Sequence, residues 1–230
     1  MLEEFRAAKI LDVATGNGNF LKFLADTLSD YSEAIGIDAK PEAAGPFEET
    51  FQQDPKVHFI AMTAEEMNFA DSSFDIVSIS NSLHHLADPQ HVLDEMRRVL
   101  KPGGIFILNE MYRDGDQAPT QQTHILLHHW FAAVDRAQNV IHNETYNRQE
   151  LIDSILGLGL DLLDTEDQID LSEDPRDPEI YTELDPVIQR YFQRAEGSQE
   201  LQEQGKRLQE RLRNIGFHSA SSLLLVARKQ

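Results

Sequence analysis

Residues 9 to 20, Lys9-Ile10-Leu11-Asp12-Val13-Ala14-Thr15-Gly16-Asn17-Gly18-Asn19-Phe20, constrain this chain more than any other stretch. Ile10 to Ala14 is a short apolar run and reads as a buried parallel strand. It leads directly into Gly16-Asn17-Gly18. Phe20, Leu21, Phe23, Leu24 and Leu28 then recur at helical spacing. Glycine at such a strand–turn–helix junction relieves backbone crowding and lets a ligand approach the main chain. The helix behind it offers free N–H groups and the positive end of its dipole. A dinucleotide fingerprint would be G-x-G-x-x-G, whereas this frame gives Gly16, Gly18 and then Leu21. The missing third glycine is the one that permits close helix–strand packing beside a pyrophosphate. Asp12, inside the strand and ahead of the glycines, also suits a nicotinamide dinucleotide poorly.

A length of 230 residues allows one ordinary α/β domain with an insertion, large enough to bury a core without covalent staples. With no cysteine there is no disulfide, thiolate metal site or cysteine nucleophile. Met1-Leu2-Glu3-Glu4-Phe5 lacks the basic start and apolar stretch of a signal peptide. No apolar run is long enough to cross a membrane. The expectation is a cytoplasmic protein without membrane insertion. The formal net charge of −20 opposes non-specific binding to nucleic acid or anionic lipid, and no nucleic-acid partner is expected.

Glu33 to Asp38 is a second short apolar strand ending in an acid. Asp38 lies about 20 residues beyond the glycine turn, where doubly wound folds place the carboxylate that accepts the ribose hydroxyls. The alternative is a strand-end aspartate that caps the next helix. A helix is predicted between Pro41 and Gln53, with Gly45-Pro46 delaying its start to Pro46. Lys56 to Ala61 reads as a third strand, and Asp71 to Ile79 as a polar turn into a fourth. Asp88 and Pro89 open a helix whose core face is Val92, Leu93, Met96, Val99 and Leu100. Lys101-Pro102-Gly103-Gly104 ends it, and Ile105 to Leu108 is the fifth strand.

Three of these segments carry a resemblance. The pattern D-x-A-x-G-x-G at Asp12, Ala14, Gly16 and Gly18 resembles motif I of the class I S-adenosylmethionine-dependent methyltransferases. Met62-Thr63-Ala64-Glu65 through Ser73-Phe74-Asp75-Ile76-Val77 is similar to the family segment G-D-A-E-x-L-P-F-x-D-x-S-F-D-x-V. The run from the fourth strand to Leu100-Lys101-Pro102-Gly103-Gly104 is the third. The likeness is closest to the branch that includes the ubiquinone and menaquinone biosynthesis methyltransferases. It covers residues 9 to 108 well and the later order of elements loosely. It implies a Rossmann-like, doubly wound α/β fold. The sheet would have seven strands, mostly parallel with an antiparallel last strand, flanked by helices and carrying helical insertions.

The resemblance also implies a cofactor, S-adenosylmethionine, and residues to hold it. Asp12, Ala14, Thr15, Gly16 and Gly18 would form the turn around its methionine half, and Asp38 and Ala39 would lie at the ribose. In the family an acid followed by an alanine N–H reads the adenine amino edge. Here Thr63 stands at the acid and Ala64 supplies the N–H. A hydroxyl accepts without charge assistance, so weaker adenine anchoring is expected, or a role passed to Glu65. Glu65 and Glu66 could equally be a solvated loop. Asn81, just past the fourth strand, would offer its carbonyl to the methionine amino group. His84 and His85 follow it, and either could face an acceptor or merely shape the loop.

After Tyr112 the likeness fades. Gln117 to Ile141 is predicted as one long helix with Leu126, Leu127, Trp130, Val134 and Ala137 on a face. His124 and His128 share a face at a metal-capable spacing, but no neighbouring acid completes a zinc pattern, and no metal is assigned. Family insertions at this position often cover the acceptor pocket, which makes His128, Trp130 and Phe131 candidates for substrate contact. Asn147 and Glu150 resemble a capping box for a helix with Leu151, Ile152, Ile155 and Leu156. Leu160 to Leu163 reads as the sixth strand and Ser221 to Ala227 as the last. Between them lie an acidic loop at 170–178 and two amphipathic helices, one with Ile180, Leu184, Val187, Ile188 and Tyr191 and one with Leu201, Leu208, Leu212 and Ile215. Their stripes are expected to pack within the chain. One domain is therefore predicted over 1–230, with a cofactor half at 1–111 and helical insertions at 112–145 and 170–216. Many small-molecule members of the family carry a lid helix ahead of the first strand. Few residues precede it here, so the expectation is that either this chain is trimmed or the inserted helices supply the lid.

The chemistry implied is in-line displacement. A nucleophile on a small-molecule acceptor takes the methyl group and S-adenosylhomocysteine leaves. His84, His85 and His128 are the candidate bases, since imidazole titrates near neutral pH. Two other readings compete: a module that binds the cofactor without turnover, as sensor or scaffold, and a nicotinamide oxidoreductase on a related sheet.

Overall fold

The computed structural model describes residues 8–28, 30–52 and 54–230. The reading of Met1 to Phe5, any segment ahead of the first strand, and the expected helix end at Gln53 lie outside the described residues. The elements alternate through most of the chain. β1 (Ala8–Val13), α1 (Asn19–Thr27), β2 (Tyr31–Asp38), α2 (Ala44–Phe51), β3 (Val57–Ala61) and β4 (Phe74–Ser80) come first. Then follow α3 (Pro89–Val99), β5 (Leu100–Met111), α4 (Pro119–Ala137), α5 (Arg148–Gly157) and β6 (Asp161–Gln168). α6 (Pro178–Arg194), α7 (Gln199–Ile215) and β7 (Ser222–Arg228) close the order.

The strands form one seven-stranded sheet in the order β3-β2-β1-β4-β5-β7-β6. β1 pairs in parallel with both β2 and β4, while β7 runs antiparallel to β5 and β6. This is the doubly wound sheet with an antiparallel last strand that the motifs implied. Strand order reverses at β1, which opens a crevice beyond the carboxyl ends of β1 and β4.

Strand side chains alternate between the two faces. Leu11, Val13, Val77, Ile79, Phe106 and Leu108 meet α3 and α5 on one face. Ile10, Ala34, Ile76, Ile105 and Ile107 meet Leu21 and Leu24 of α1 and Phe47 and Phe51 of α2 on the other. A third cluster lies off the sheet. Leu127, Trp130 and Val134 of α4 are buried against Ile188 and Tyr191 of α6 and Leu208 and Leu212 of α7. The two amphipathic stripes therefore pack within the chain, as expected.

Several boundaries differ from the sequence reading. α2 begins at Ala44, after a 3₁₀ turn at Pro41–Ala43, and not at Pro46. Pro46 is its third residue, in the first turn, where no intrahelical N–H is needed. β5 begins at Leu100, and Lys101 to Gly104 form a bulge within it. The C-terminal segment holds that bulge, through Gly103 N–H to the Lys229 carbonyl (2.7 Å) and Lys229 N–H to the Gly104 carbonyl (3.1 Å). α4 stops at Ala137, well before Ile141. Val140 N–H closes back on the Asp135 carbonyl at 2.9 Å, and Asn139 takes a left-handed φ of 58°. β6 runs on to Gln168, beyond Leu163. It is an edge strand with most of its residues exposed, so its second half, Asp164 to Gln168, carries no apolar pattern. Asp88 does cap α3, accepting from His91 N–H at 3.1 Å, and Glu150 accepts from Asn147 N–H at 2.6 Å at the start of α5.

Candidate functional site

The ends of β1, β2 and β4 surround a cavity of about 390 Å³. Of the residues singled out in the sequence, Ala14, Gly16, Asp38, Ala39, Ala64, Glu65, Asn81 and His85 line it, joined by Lys40, Met62, Ser82 and Leu86. Ala14 and Asn81 sit at matching positions after β1 and β4, and both adopt left-handed backbone, with φ of 54° and 45°. Such conformations are costly for residues with a β-carbon and persist only where neighbours hold them. Here the neighbours are evident. Thr15 N–H donates to the Ile37 carbonyl (2.9 Å) and Asn81 N–H to the Asn109 carbonyl (2.8 Å), while the Ser82 hydroxyl reaches the Ala14 carbonyl (3.3 Å).

Asp38 is anchored from both sides. One carboxylate oxygen accepts from Gly16 N–H at 3.0 Å and the other from Lys40 N–H at 2.9 Å. A carboxylate oxygen has a second lone pair, so each can still accept from a ligand hydroxyl.

Asp12, Thr15, Gly18 and Thr63 lie elsewhere. Asp12 is buried beneath the turn, accepting from the Thr15 and Ser78 hydroxyls at 2.6 Å each. Gly18, with φ of 80°, caps α1, and a β-carbon there would run into the Phe47 and Phe51 rings. Thr63 is exposed and does not border the cavity, whereas its neighbours Ala64 and Glu65 do.

Burial pushes the Asp12 carboxyl up to about 6, against the pull of its two hydroxyl partners. An acid whose folded pKa stands above its unfolded value holds its proton better when folded. Wild-type stability therefore falls as pH rises from about 4 to about 6 and stays lowered at neutral pH. Asp12→Asn cannot ionise. Its stability advantage over wild type is expected to grow by up to about 3 kcal/mol between pH 4 and pH 7, read from urea unfolding at both pH values. A gap that does not change with pH would show that Asp12 ionises freely in the folded protein.

Behind the cavity the structure assembles four imidazoles. His84 and His85 form a 3₁₀ turn after β4, His128 comes from α4, and His142 from the segment that follows α4. Ring centroids of His84 lie 4.2 Å from His85 and 4.7 Å from His128, and those of His85 and His142 are 4.3 Å apart. Buried Glu110 faces His84 Nδ1 at 3.0 Å, and Asp135 faces His142 Nδ1 at 2.7 Å. Asn143 ties the His142 segment to this turn, its N–H donating to the His84 carbonyl (2.8 Å) and its side chain to the Leu86 carbonyl (3.1 Å). Burial first, then the neighbouring imidazoles, pushes His128 down to about 2 and His85 down to about 3, while burial lowers His142 against the upward pull of its hydrogen bond to Asp135.

His124 does not join them. Its Nδ1 accepts from Ala220 N–H at 2.9 Å, and its ring centroid is 6.0 Å from that of His128. The i, i+4 pair weighed in the sequence is therefore not the relevant one. His142 and Glu110 were missed there, because nothing in their local sequence marks them.

Residues 11–108 match the family described as "Methyltransferase domain". An uncharacterized methyltransferase of Synechocystis sp. is 34% identical over 46% of this chain and 48% of its own length. A demethylmenaquinone methyltransferase of Lysinibacillus sphaericus is 34% identical over 45% of this chain and 44% of its own. The chain thus spans about half the length of the curated relatives it matches. Among solved structures, the YcgJ protein from Bacillus subtilis superimposes with a TM-score of 0.62 at 20% identity, covering 99% of this chain and 94% of that one, a likeness of fold. Residues 11–108 are thus similar to a methyltransferase domain, a family whose methyl donor is S-adenosylmethionine, and they lie on a Rossmann-like sheet of the order described above.

Proposed function

We propose that this protein transfers a methyl group from S-adenosylmethionine to a small-molecule acceptor by in-line displacement. The observation that carries the reading is the cavity at the switch point of the sheet, with the Asp38 carboxylate at its wall and left-handed Ala14 and Asn81 at its rim. The residues present suit the cofactor. Asp38 keeps lone pairs for both ribose hydroxyls, and Gly16, with open space where a side chain would stand, leaves room at the turn. Ala64 N–H and the Glu65 carboxylate are suited to the adenine edge, and the Asn81 carbonyl to an ammonium group. When bound, S-adenosylmethionine supplies a methyl group on a sulfonium whose departure is already favourable. The protein's part is then proximity and alignment.

A base is needed only for an acceptor that is protonated in its ground state. His85 is the imidazole on the cavity wall, with His84 and His128 behind it. The reading of the acceptor as a small molecule leans on the named activity of the demethylmenaquinone methyltransferases. No helix of the described residues is long and apolar enough to cross a membrane.

Titration calorimetry tests the reading. Micromolar binding of S-adenosylmethionine and S-adenosylhomocysteine, with none of NADH, is the expected result. Release of S-adenosylhomocysteine with members of an acceptor panel would establish turnover. Binding without turnover across a broad panel would favour a sensor or scaffold, and absence of binding would remove the reading.

A further inference from the structure

We propose that His84, His85, His128 and His142 form a binding site for one divalent first-row transition-metal ion, with zinc as the ordinary occupant. One ligand atom from each of the four lies within 4.8 Å of all the others. His142 Nε2 and His128 Nδ1 are already 3.3 Å apart, close to the edge of about 3.3 Å that a tetrahedron with zinc–nitrogen bonds of 2.0–2.1 Å requires. Small side-chain rotations would bring the other two rings to the same centre.

Two further observations point to an ion and not to a set of stacked rings. The first is the orientation of the buried histidines. Glu110 is buried, and its oxygens accept from Leu83 N–H and Met111 N–H at 2.9 Å each while it faces His84 Nδ1. As an acceptor-only carboxylate it fixes the His84 proton on Nδ1. Asp135 does the same for His142, with the Tyr191 hydroxyl donating to the same oxygen at 2.9 Å and Arg194 lying against the other. Both rings therefore turn an Nε2 lone pair inward, that of His142 toward His128 Nδ1 at 3.3 Å and that of His84 toward no protein partner. A carboxylate on the outer nitrogen of a ligating histidine is the usual support of a metal site. The second observation is that His84 Nε2 is buried with no hydrogen-bond partner, although the residue is 1% exposed. Leaving such an atom bare is unfavourable, and a cation would satisfy it.

The donor set selects the ion. Imidazole nitrogen suits zinc, copper, iron, cobalt and nickel, while magnesium and calcium require oxygen ligands. Glu110 and Asp135 stand behind the ring nitrogens and balance a divalent charge without binding it. His85 is both a member of the cluster and a wall of the cofactor cavity, so the ion would lie at the boundary between that cavity and α4. The assignment needs no cofactor and does not depend on methyl transfer.

Cobalt(II) titration of tag-free, chelator-treated protein, followed by visible absorption, is the test. The expected result is saturation at one ion per chain with the intense spectrum of a nitrogen-ligated tetrahedral site, displaced by one equivalent of zinc. The His85→Gln/His128→Gln double variant is expected to lose affinity by more than the roughly 10–100-fold that loss of a supporting hydrogen bond costs. His124→Gln, outside the cluster, should bind as wild type does. Absence of saturable binding to the wild type would overturn the proposal, as would unchanged binding in the double variant. Since no S-adenosylmethionine is present, either outcome leaves the methyl-transfer reading to be judged separately.

Discussion

Replacing Asp38 with alanine is expected to weaken S-adenosylmethionine binding by about 100-fold or more, with two charge-assisted hydrogen bonds of roughly 1.5–3 kcal/mol each removed. The carboxylate is well placed for such a loss. It is held between Gly16 N–H and Lys40 N–H, so its orientation is set before any ligand arrives, and binding has little side-chain entropy to overcome. The same two hydrogen bonds give the substitution a structural cost. Both donors belong to partly exposed loop backbone, where water can replace the carboxylate, so the loss of stability should stay near 1 kcal/mol. Asp38→Asn keeps one acceptor oxygen and loses the charge, and it should fall between wild type and alanine. Calorimetric titration of the three proteins, with thermal unfolding alongside, separates the effects. An affinity that stays within twofold of wild type in Asp38→Ala would mean that the cavity at β1, β2 and β4 does not hold the ribose, and the site would have to be sought elsewhere.

What the sequence revealed and what it hid follow from the range over which each feature is determined. The turn after β1 is local: an apolar strand, two glycines and a helix-spaced run are enough to place it, and Asp38 follows from the length of one βα unit. Alternation of β and α elements likewise locates the sheet up to β5. The reading weakened where tertiary pairing overrides local pattern. β5 continues through Gly103 and Gly104 because the Lys229 backbone hydrogen-bonds to both, a partner more than a hundred residues away. β6 extends through polar residues because only one of its edges is paired. The histidine cluster is the sharpest case. Its members come from a 3₁₀ turn, a helix and a loop, and its supporting carboxylates from β5 and the same helix. Sequence spacing could suggest only the His124–His128 pair, and the hydrogen bond from Ala220 N–H draws His124 out of it. Thr63 and Glu65 show the opposite. The departure from the family pattern was visible in the sequence, while which of the two borders the cavity depends on how the loop after β3 turns.

Trp130→Ala should cost about 3–5 kcal/mol of stability, the range for truncating a fully buried large aromatic. Trp130 is 0% exposed and is one of the largest fully buried side chains. Its ring lies between Phe131 and Phe192, at centroid distances of 5.5 and 5.1 Å, with Tyr191 at 6.2 Å. On α7 the facing residue is Gly205, where a methyl group would run into the indole, so the ring rests directly on helix backbone. Its Nε1–H donates to the Leu201 carbonyl at 2.9 Å, which fixes the position of α7 along α4. Alanine would remove the packing and the hydrogen bond together and leave a cavity that two rigid helices cannot easily close. Trp130→Phe keeps part of the ring and loses the donor, so an intermediate cost of about 1–2 kcal/mol is expected. Urea unfolding of the three proteins gives both values. The same helix brings His128 into the histidine cluster two residues away, and Gln121 near its start ties it to Ser221, the residue ahead of β7, through that hydroxyl at 3.1 Å. If α4, α6 and α7 unfold together with the sheet, the loss appears as one shifted transition. A loss below about 1 kcal/mol in that transition would mean that the helical layer opens independently of the sheet. His128 would then be held by the layer's own local stability, and not by that of the whole fold.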